Sequence, residues 1–206
     1  FQVLGTPLPS NAAGNPMIQN AGTVYFTSYD DESLGVDTNV LNSTPAPGEW
    51  GGIEFRNDFD YSEGRGVWET EGIFLDYVSH ATITYGGGSL TPNTPIVTPV
   101  AMYESRPTVI YNTITDSAEA AISADPNSFL ETNFHAPTYQ RVQAFTSDYD
   151  RVGPDLVGNV LSDNSINGLF VRVRTPAVGQ LEPMTVSGRM DDKDIVHVIS
   201  QVLVLQ

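Results

Sequence analysis

The apolar positions of this chain come in short bursts. From residue 23 onward, runs rich in Val, Ile, Thr, Tyr and Phe, nearly all four to seven residues long, are separated by Gly, Pro, Asn and Asp. Runs of that length, bounded by turn formers, predict strands and not helices. They fall at residues 23–29, 52–56, 72–77, 81–85, 100–103, 108–111, 120–123, 142–146, 156–161, 168–173, 184–187 and 195–205. No stretch sustains apolar residues at i, i+3, i+4 and i+7. The best helix candidate, residues 116–124 with four alanines, ends at Asp125-Pro126. Residues before proline avoid the α region, so a strand or turn there is at least as well supported. The pattern predicts an all-β chain, preceded by a Gly-, Pro- and Asn-rich stretch at residues 1–22 that reads as a linker or a partial turn of preceding structure.

An all-β chain of this kind is a sandwich, a propeller or a solenoid. Internal similarity favours the last. Pro107-Thr108-Val109-Ile110-Tyr111-Asn112-Thr113-Ile114 and Pro154-Asp155-Leu156-Val157-Gly158-Asn159-Val160-Leu161 share a proline, alternating apolar residues, an Asn and an aliphatic or β-branched pair. In stacked coils an Asn suits the bend between two strands: it tolerates left-handed backbone angles, and its amide bonds to the coil above or below. Hairpins would call for Asn-Gly or Asp-Gly between matched strands, and none stands there. The expected fold is a parallel solenoid of about four to five irregular coils over residues 23–206, with a long insertion near 125–155.

Three blocks carry a resemblance. They are Thr23-Val24-Tyr25-Phe26-Thr27-Ser28-Tyr29-Asp30-Asp31, then Gly35-Val36-Asp37-Thr38-Asn39, then Pro45-Ala46-Pro47-Gly48-Glu49-Trp50-Gly51-Gly52-Ile53-Glu54-Phe55. Together with Leu75-Asp76-Tyr77-Val78, Ile83-Thr84-Tyr85-Gly86-Gly87-Gly88, the Asn-centred coils and the segment at residues 190–198, they resemble right-handed parallel β-helix repeat domains of very large bacterial extracellular proteins. The resemblance spans about residues 22–206. It implies the right-handed β-helix and a secreted or surface-displayed setting. It implies no reaction, because this fold carries lyases, hydrolases, adhesins and passive stalks alike.

Charge narrows the partners. The chain carries 25 acidic and 9 basic residues, a net charge of -16, and Lys193 is the only lysine. Affinity for phosphates rests on Lys and Arg, so nucleic acid and anionic membrane surfaces are disfavoured. Cations, polysaccharides or other cell-surface partners fit better. There is no cysteine, which excludes disulfides, thiolate metal sites and a Cys nucleophile. No apolar run reaches a membrane span. The ends, Phe1 and an apolar stretch closing at Gln206, suggest a piece of a longer chain.

Candidate chemistry is thin. Asp30, Asp31 and Asp37, with Glu32 and Asn39 nearby, offer the oxygen donors that Ca²⁺ takes from irregular loops. The plainer alternative is a solvated loop whose aspartates cap turns. Asp148, Asp150 and Asp155, and likewise Asp191, Asp192 and Asp194, form weaker clusters with the same alternative. His80, His135 and His197 lack partners at metal spacing, so structural roles are expected. Among the aromatics, Trp68 is placed in a loop as a platform for a sugar ring, whereas Trp50 is expected to pack over a coil corner. Gly86-Gly87-Gly88 reads as a tight turn, since no Lys-Ser or Lys-Thr follows it. Asp76 is the best-placed carboxylate for glycoside hydrolysis, and Arg106 and Arg172 are candidate bases for a lyase, with salt-bridge roles weighing against each. No convergent catalytic set is named. The expectation is a non-catalytic structural or adhesive module that requires no cofactor, with Ca²⁺ as the one ion its loops would take. The alternatives are a pectate-lyase-like lyase or hydrolase, and a Ca²⁺-stabilised glycan-binding module.

Overall fold

A computed structural model describes residues 1–5, 23–34, 44–56, 76–89, 97–130, 154–174, 179–190 and 192–206. The described chain is all-β. It contains thirteen short strands, no α-helix and a single 3-10 turn at Pro126–Phe129. The strands are β1 (Gln2–Leu4), β2 (Val24–Phe26), β3 (Ile53–Arg56), β4 (Tyr77–Ser79), β5 (Ala81–Thr84), β6 (Val100–Tyr103), β7 (Thr108–Ile110), β8 (Thr113–Thr115), β9 (Ala120–Ala124), β10 (Asp155–Val157), β11 (Val160–Ser162), β12 (Ile166–Val171) and β13 (His197–Val198).

They form three sheets, ordered β1-β4-β7-β10, β11-β8-β5-β2 and β13-β12-β9-β6-β3. Every strand pairing is parallel. The chain therefore passes through the three sheets in the same order four times before ending on β13. That order is compatible with a β-helix-like solenoid. The first strand arises within residues 1–22, where Val3 lies opposite Val78 of β4. The stretch expected as an insertion, near 125–155, is described only at residues 125–130 and 154–155.

Register explains why the bursts are short and apolar. In the first sheet Val3, Val78, Val109 and Leu156 align in one buried row. In the second, Phe26, Ile83, Ile114 and Leu161 align, with Ile83 and Ile114 fully buried and Phe26 and Leu161 partly buried at the ends. The third contributes two rows: Phe55, Met102, Ala124 and Val171, and Ile53, Val100, Ile122, Leu169 and His197. Ile83, Val100, Ile114, Ile122, Leu156 and Leu169 have no exposed surface. Each such side chain contributes about 1.5–3 kcal/mol by burial. Parallel sheets buried on the inner face favour these β-branched and aliphatic residues.

The bends are as regular as the rows. His80, Tyr111 and Gly158 follow β4, β7 and β10, with φ of 54°, 55° and 65°. Tyr85, Asp116 and Asp163 follow β5, β8 and β11, with φ of 60°, 55° and 56°. One left-handed residue turns the chain from one sheet to the next. The residue in that conformation precedes the expected Asn, which itself does the stitching: Asn112 and Asn159 are the positions just after Tyr111 and Gly158. The run at 156–161 is accordingly split into β10 and β11. Residues 184–187 form no strand, and of 195–205 only His197–Val198 does.

The Trp50-Gly51-Gly52 block lies against Gly86-Gly87-Gly88. The amide of Gly87 donates to the Gly51 carbonyl (2.8 Å) and that of Gly88 to the Trp50 carbonyl (2.9 Å). Trp50 Nε1 donates to the Thr84 carbonyl at 2.7 Å, and the indole stacks on Phe26. Trp50 packs over a corner in this way. The three glycines form a backbone-to-backbone seam.

Candidate functional site

A polar hollow lies at one rim of the third sheet. Its volume is about 190 Å³, and it is lined by Arg56, Tyr103, Glu104, Asp125 and Glu182. Strand register brings these residues together. Arg56 and Tyr103 close β3 and β6 and lie opposite each other. Arg172 follows β12, and its amide donates to the Ala124 carbonyl at 2.8 Å. Both guanidiniums lie over the Tyr103 ring, with Cζ 5.5 Å (Arg56) and 5.9 Å (Arg172) from its centroid. Arg56 is also ion-paired with Glu54 on its own strand, and Arg172 Nη2 donates to Ser123 Oγ at 3.1 Å.

Two corners add the carboxylates. Glu104 takes a left-handed conformation (φ 46°), and its amide donates to Asp125 Oδ1 at 2.7 Å. Asp125 caps the 3-10 turn, accepting from the Asn127 amide (3.3 Å) and the Ser128 hydroxyl (2.5 Å). Glu182 arrives from the segment at 179–190, whose backbone donates from Glu182 to the Val173 carbonyl at 2.9 Å.

Burial pushes the Asp125 carboxyl above its usual value; hydrogen bonds from Ser128 and the Glu104 and Asn127 amides pull it down, and the Glu104 charge pushes it up again. Glu182 is raised by burial, then by the charges of Asp125 and Glu104, against the pull of Arg172. Tyr103 is raised chiefly by burial, with Arg172 opposing. Carboxyls that hold a proton beside fixed guanidiniums can donate a proton or a hydrogen bond and can pair with an anionic group.

A second, wider hollow of about 660 Å³ opens beside β2, with Tyr25, Tyr29, Leu34, Trp50 and Asp31 among its walls. Asp31 is buried there. Its Oδ2 accepts from the Thr27 hydroxyl (2.5 Å) and its Oδ1 from the Ser33 amide (3.0 Å). Desolvation is the largest single influence on this carboxyl and raises it, but the Ser33 and Thr27 hydrogen bonds together hold it below its ordinary value. Ser28 Oγ accepts from the Asp30 amide at 2.9 Å.

The residues singled out from sequence are scattered. Trp68 and Asp37 lie outside the described residues, as do Asp148, Asp150, Asp191 and His135. Asp30 and Asp31 stay within one loop. Asp194 accepts from the Gly158 amide at 2.6 Å, a turn contact. Asp76 pairs with the Phe1 amino group. His80 stacks on Tyr111, and His197 ends its core row against Phe129. Of the two arginines considered as bases, Arg172 lies over the ring of Tyr103, which lines the rim hollow, while Arg106 is buried. Among the described residues no three His, Cys, Asp or Glu side chains are placed to hold a metal ion, and no helix is long and apolar enough to cross a membrane.

Sequence reasoning missed Glu104, Asp125 and Glu182 as a group. Asp125 was visible only as the residue before Pro126. The missing signal is register: Tyr103 ends β6 and Asp125 directly follows β9, and aligning those strand ends predicts one rim. No known protein family, curated protein or solved structure matches this chain.

Proposed function

We propose that the chain is a segment of a right-handed parallel β-helix serving as a non-catalytic structural or adhesive module of a secreted or surface-displayed bacterial protein. The observation that carries this reading is the threefold parallel stack, with aligned buried rows and bends stitched by side chains. Such an architecture forms a stiff rod whose outer faces are free for contact. The net charge of -16 directs that contact toward neutral glycans or cationic surfaces and away from nucleic acid.

A second reading, a polysaccharide lyase or hydrolase, is favoured by the rim hollow, where Arg56 and Tyr103 stand beside Glu104, Asp125 and Glu182 and Arg172 lies over the Tyr103 ring. One experiment separates the two. The purified chain is incubated with a panel of neutral and acidic polysaccharides, and both new reducing ends and unsaturated products are followed. The structural reading expects retention of glycans or none, without turnover. Turnover abolished in Glu182→Gln, with the fold intact by circular dichroism, would replace it with the second.

A further inference from the structure

After β12 the chain turns back across the rim. Residues 179–190 form a strap held by backbone contacts on both sides. Arg174 bridges Leu181, and Leu130 bridges Gly188, both antiparallel. Asn127 Oδ1 accepts from the Thr185 amide (2.9 Å), and the Phe129 carbonyl accepts from the Arg189 amide (3.1 Å). Met184 is buried against the core, and its amide donates to the Val204 carbonyl at 2.8 Å. The fit is tight at Gly188, where a Cβ would come within 2.9 Å of the Phe129 carbonyl oxygen.

The strap carries a carboxyl to other carboxyls. Glu182 faces Asp125, which begins the 3-10 corner to which the strap is bonded, and Glu104 from the neighbouring corner. The opposing groups are few. Arg172 faces Glu182 and also bonds Ser123; Arg56 is taken by Glu54; Tyr103 lies between the two guanidiniums. With Glu182 and Asp125 ionised beside Glu104, the hollow holds an excess of negative charge, and at the buried Asp125 screening by solvent is weak. We propose that the strap is an acid-closed latch: it lies docked while the Glu182 and Asp125 carboxyls retain a proton between them, and it opens when both are ionised beside the Glu104 charge.

The direction follows from linkage. Burial and mutual repulsion raise Glu182 and Asp125 in the docked state, so that state binds more protons than the released one. Docking is therefore strongest below the ordinary carboxylate range and weakens as pH rises through the docked-state values. Met184 and the corner hydrogen bonds oppose release, so the response is a shift in population and not loss of the fold.

Hydrogen exchange of the full chain tests this, with rates normalised to the intrinsic rate at each pH. The amides of Thr185 and Arg189 should lose protection by roughly threefold or more between about pH 4 and about pH 8, while Ile122 in the core stays constant. Glu182→Gln should flatten that dependence. Glu104→Gln, at an exposed position, should halve it or more and guards against failure of the first variant to fold. Protection that is flat with pH in the parent chain, or a drop of equal size in both variants, would overturn the latch. Neither result depends on whether a polysaccharide is cleaved.

Discussion

Asn112 and Asn159 stack amide on amide across two successive bends. Asn112 Nδ2 donates to Asn159 Oδ1 and to the Val78 carbonyl, at 3.0 and 2.9 Å. Its Oδ1 accepts from the Ala81 amide at 2.9 Å, and Asn159 Nδ2 reaches the Val109 carbonyl at 2.7 Å. One side chain thus satisfies a carbonyl and an amide of the preceding round of chain and hands on the contact to the next. Asn164 repeats the device at the next bend, donating to the Ile114 carbonyl (2.8 Å) and accepting from the Ser117 amide (3.1 Å).

Asn112 is 1% exposed, so its partners have no water to turn to. Asn112→Ala should orphan the Val78 carbonyl and the Ala81 amide and destabilise the chain by about 2–4 kcal/mol in urea unfolding. Asn112→Asp should fare little better, since a carboxylate cannot donate to Val78. Asn159→Ala, at a half-buried position, should lose less than Asn112→Ala. Equal losses at the two positions would contradict the burial argument.

Gly158 shares its left-handed bend with Tyr111 and His80, so positive φ alone does not require glycine there. The Tyr111 ring does: a Cβ on Gly158 would meet its Cδ1 at 2.5 Å. Gly158→Ala should cost about 1–3 kcal/mol. Combining it with Tyr111→Ala should recover most of the steric part, giving a coupling of about 1 kcal/mol in a double-mutant cycle. Simple additivity would show that backbone strain, not the ring, sets the preference.

These two bends show how much was legible beforehand. The apolar bursts announced strands because each is a row element, short since the chain must turn after every pass. The Asn-centred similarity announced stacking because an amide is one of the few groups able to serve two rounds of backbone at once. The sequence pattern places the Asn at the left-handed position, whereas Tyr111 and His80 hold it; a tyrosine does not advertise that conformation. The rim site was not legible for a different reason. Its members come from three strand ends and a strap, and the pairing of Arg56 with Tyr103, or of Glu182 with Asp125, depends on register and on a chain reversal that local pattern does not encode.

Asp31 supplies the acid limb of stability. Its folded value lies below the ordinary one, so its contribution is complete above the unfolded value and is lost as pH falls through the folded one. Asp31→Asn should lower the melting temperature at neutral pH and show a weaker decline on acidification than the parent chain. His80 adds to the same limb: burial lowers its value, so the folded state resists protonation, and stability falls as pH drops below the ordinary histidine range. His80→Gln should remove that part, read as a shallower slope of melting temperature between about pH 7 and about pH 5.

Gly88 tests the seam between the Trp50 block and the glycine run. A Cβ there would lie 1.8 Å from the Gly48 carbonyl oxygen, and the obstacle is backbone, which has no rotamer to yield. Relief requires residues 48–50 to move away from residues 86–88. That motion breaks the Gly88-to-Trp50 and Gly87-to-Gly51 hydrogen bonds and pulls the indole from the Thr84 carbonyl. Gly88→Ala should therefore cost more than about 4 kcal/mol, or leave no folded chain, with Trp50 emission shifted to the red as the ring loses its stack on Phe26. Gly86→Ala is the control: its Cβ would meet Pro99 Cγ at 3.1 Å, a side-chain atom that can give by tenths of an ångström. It should cost far less, about 1 kcal/mol, and leave the emission unchanged. A folded Gly88→Ala chain of near-normal stability would mean that the two glycine-rich segments are not in backbone contact, and the seam would have to be redrawn.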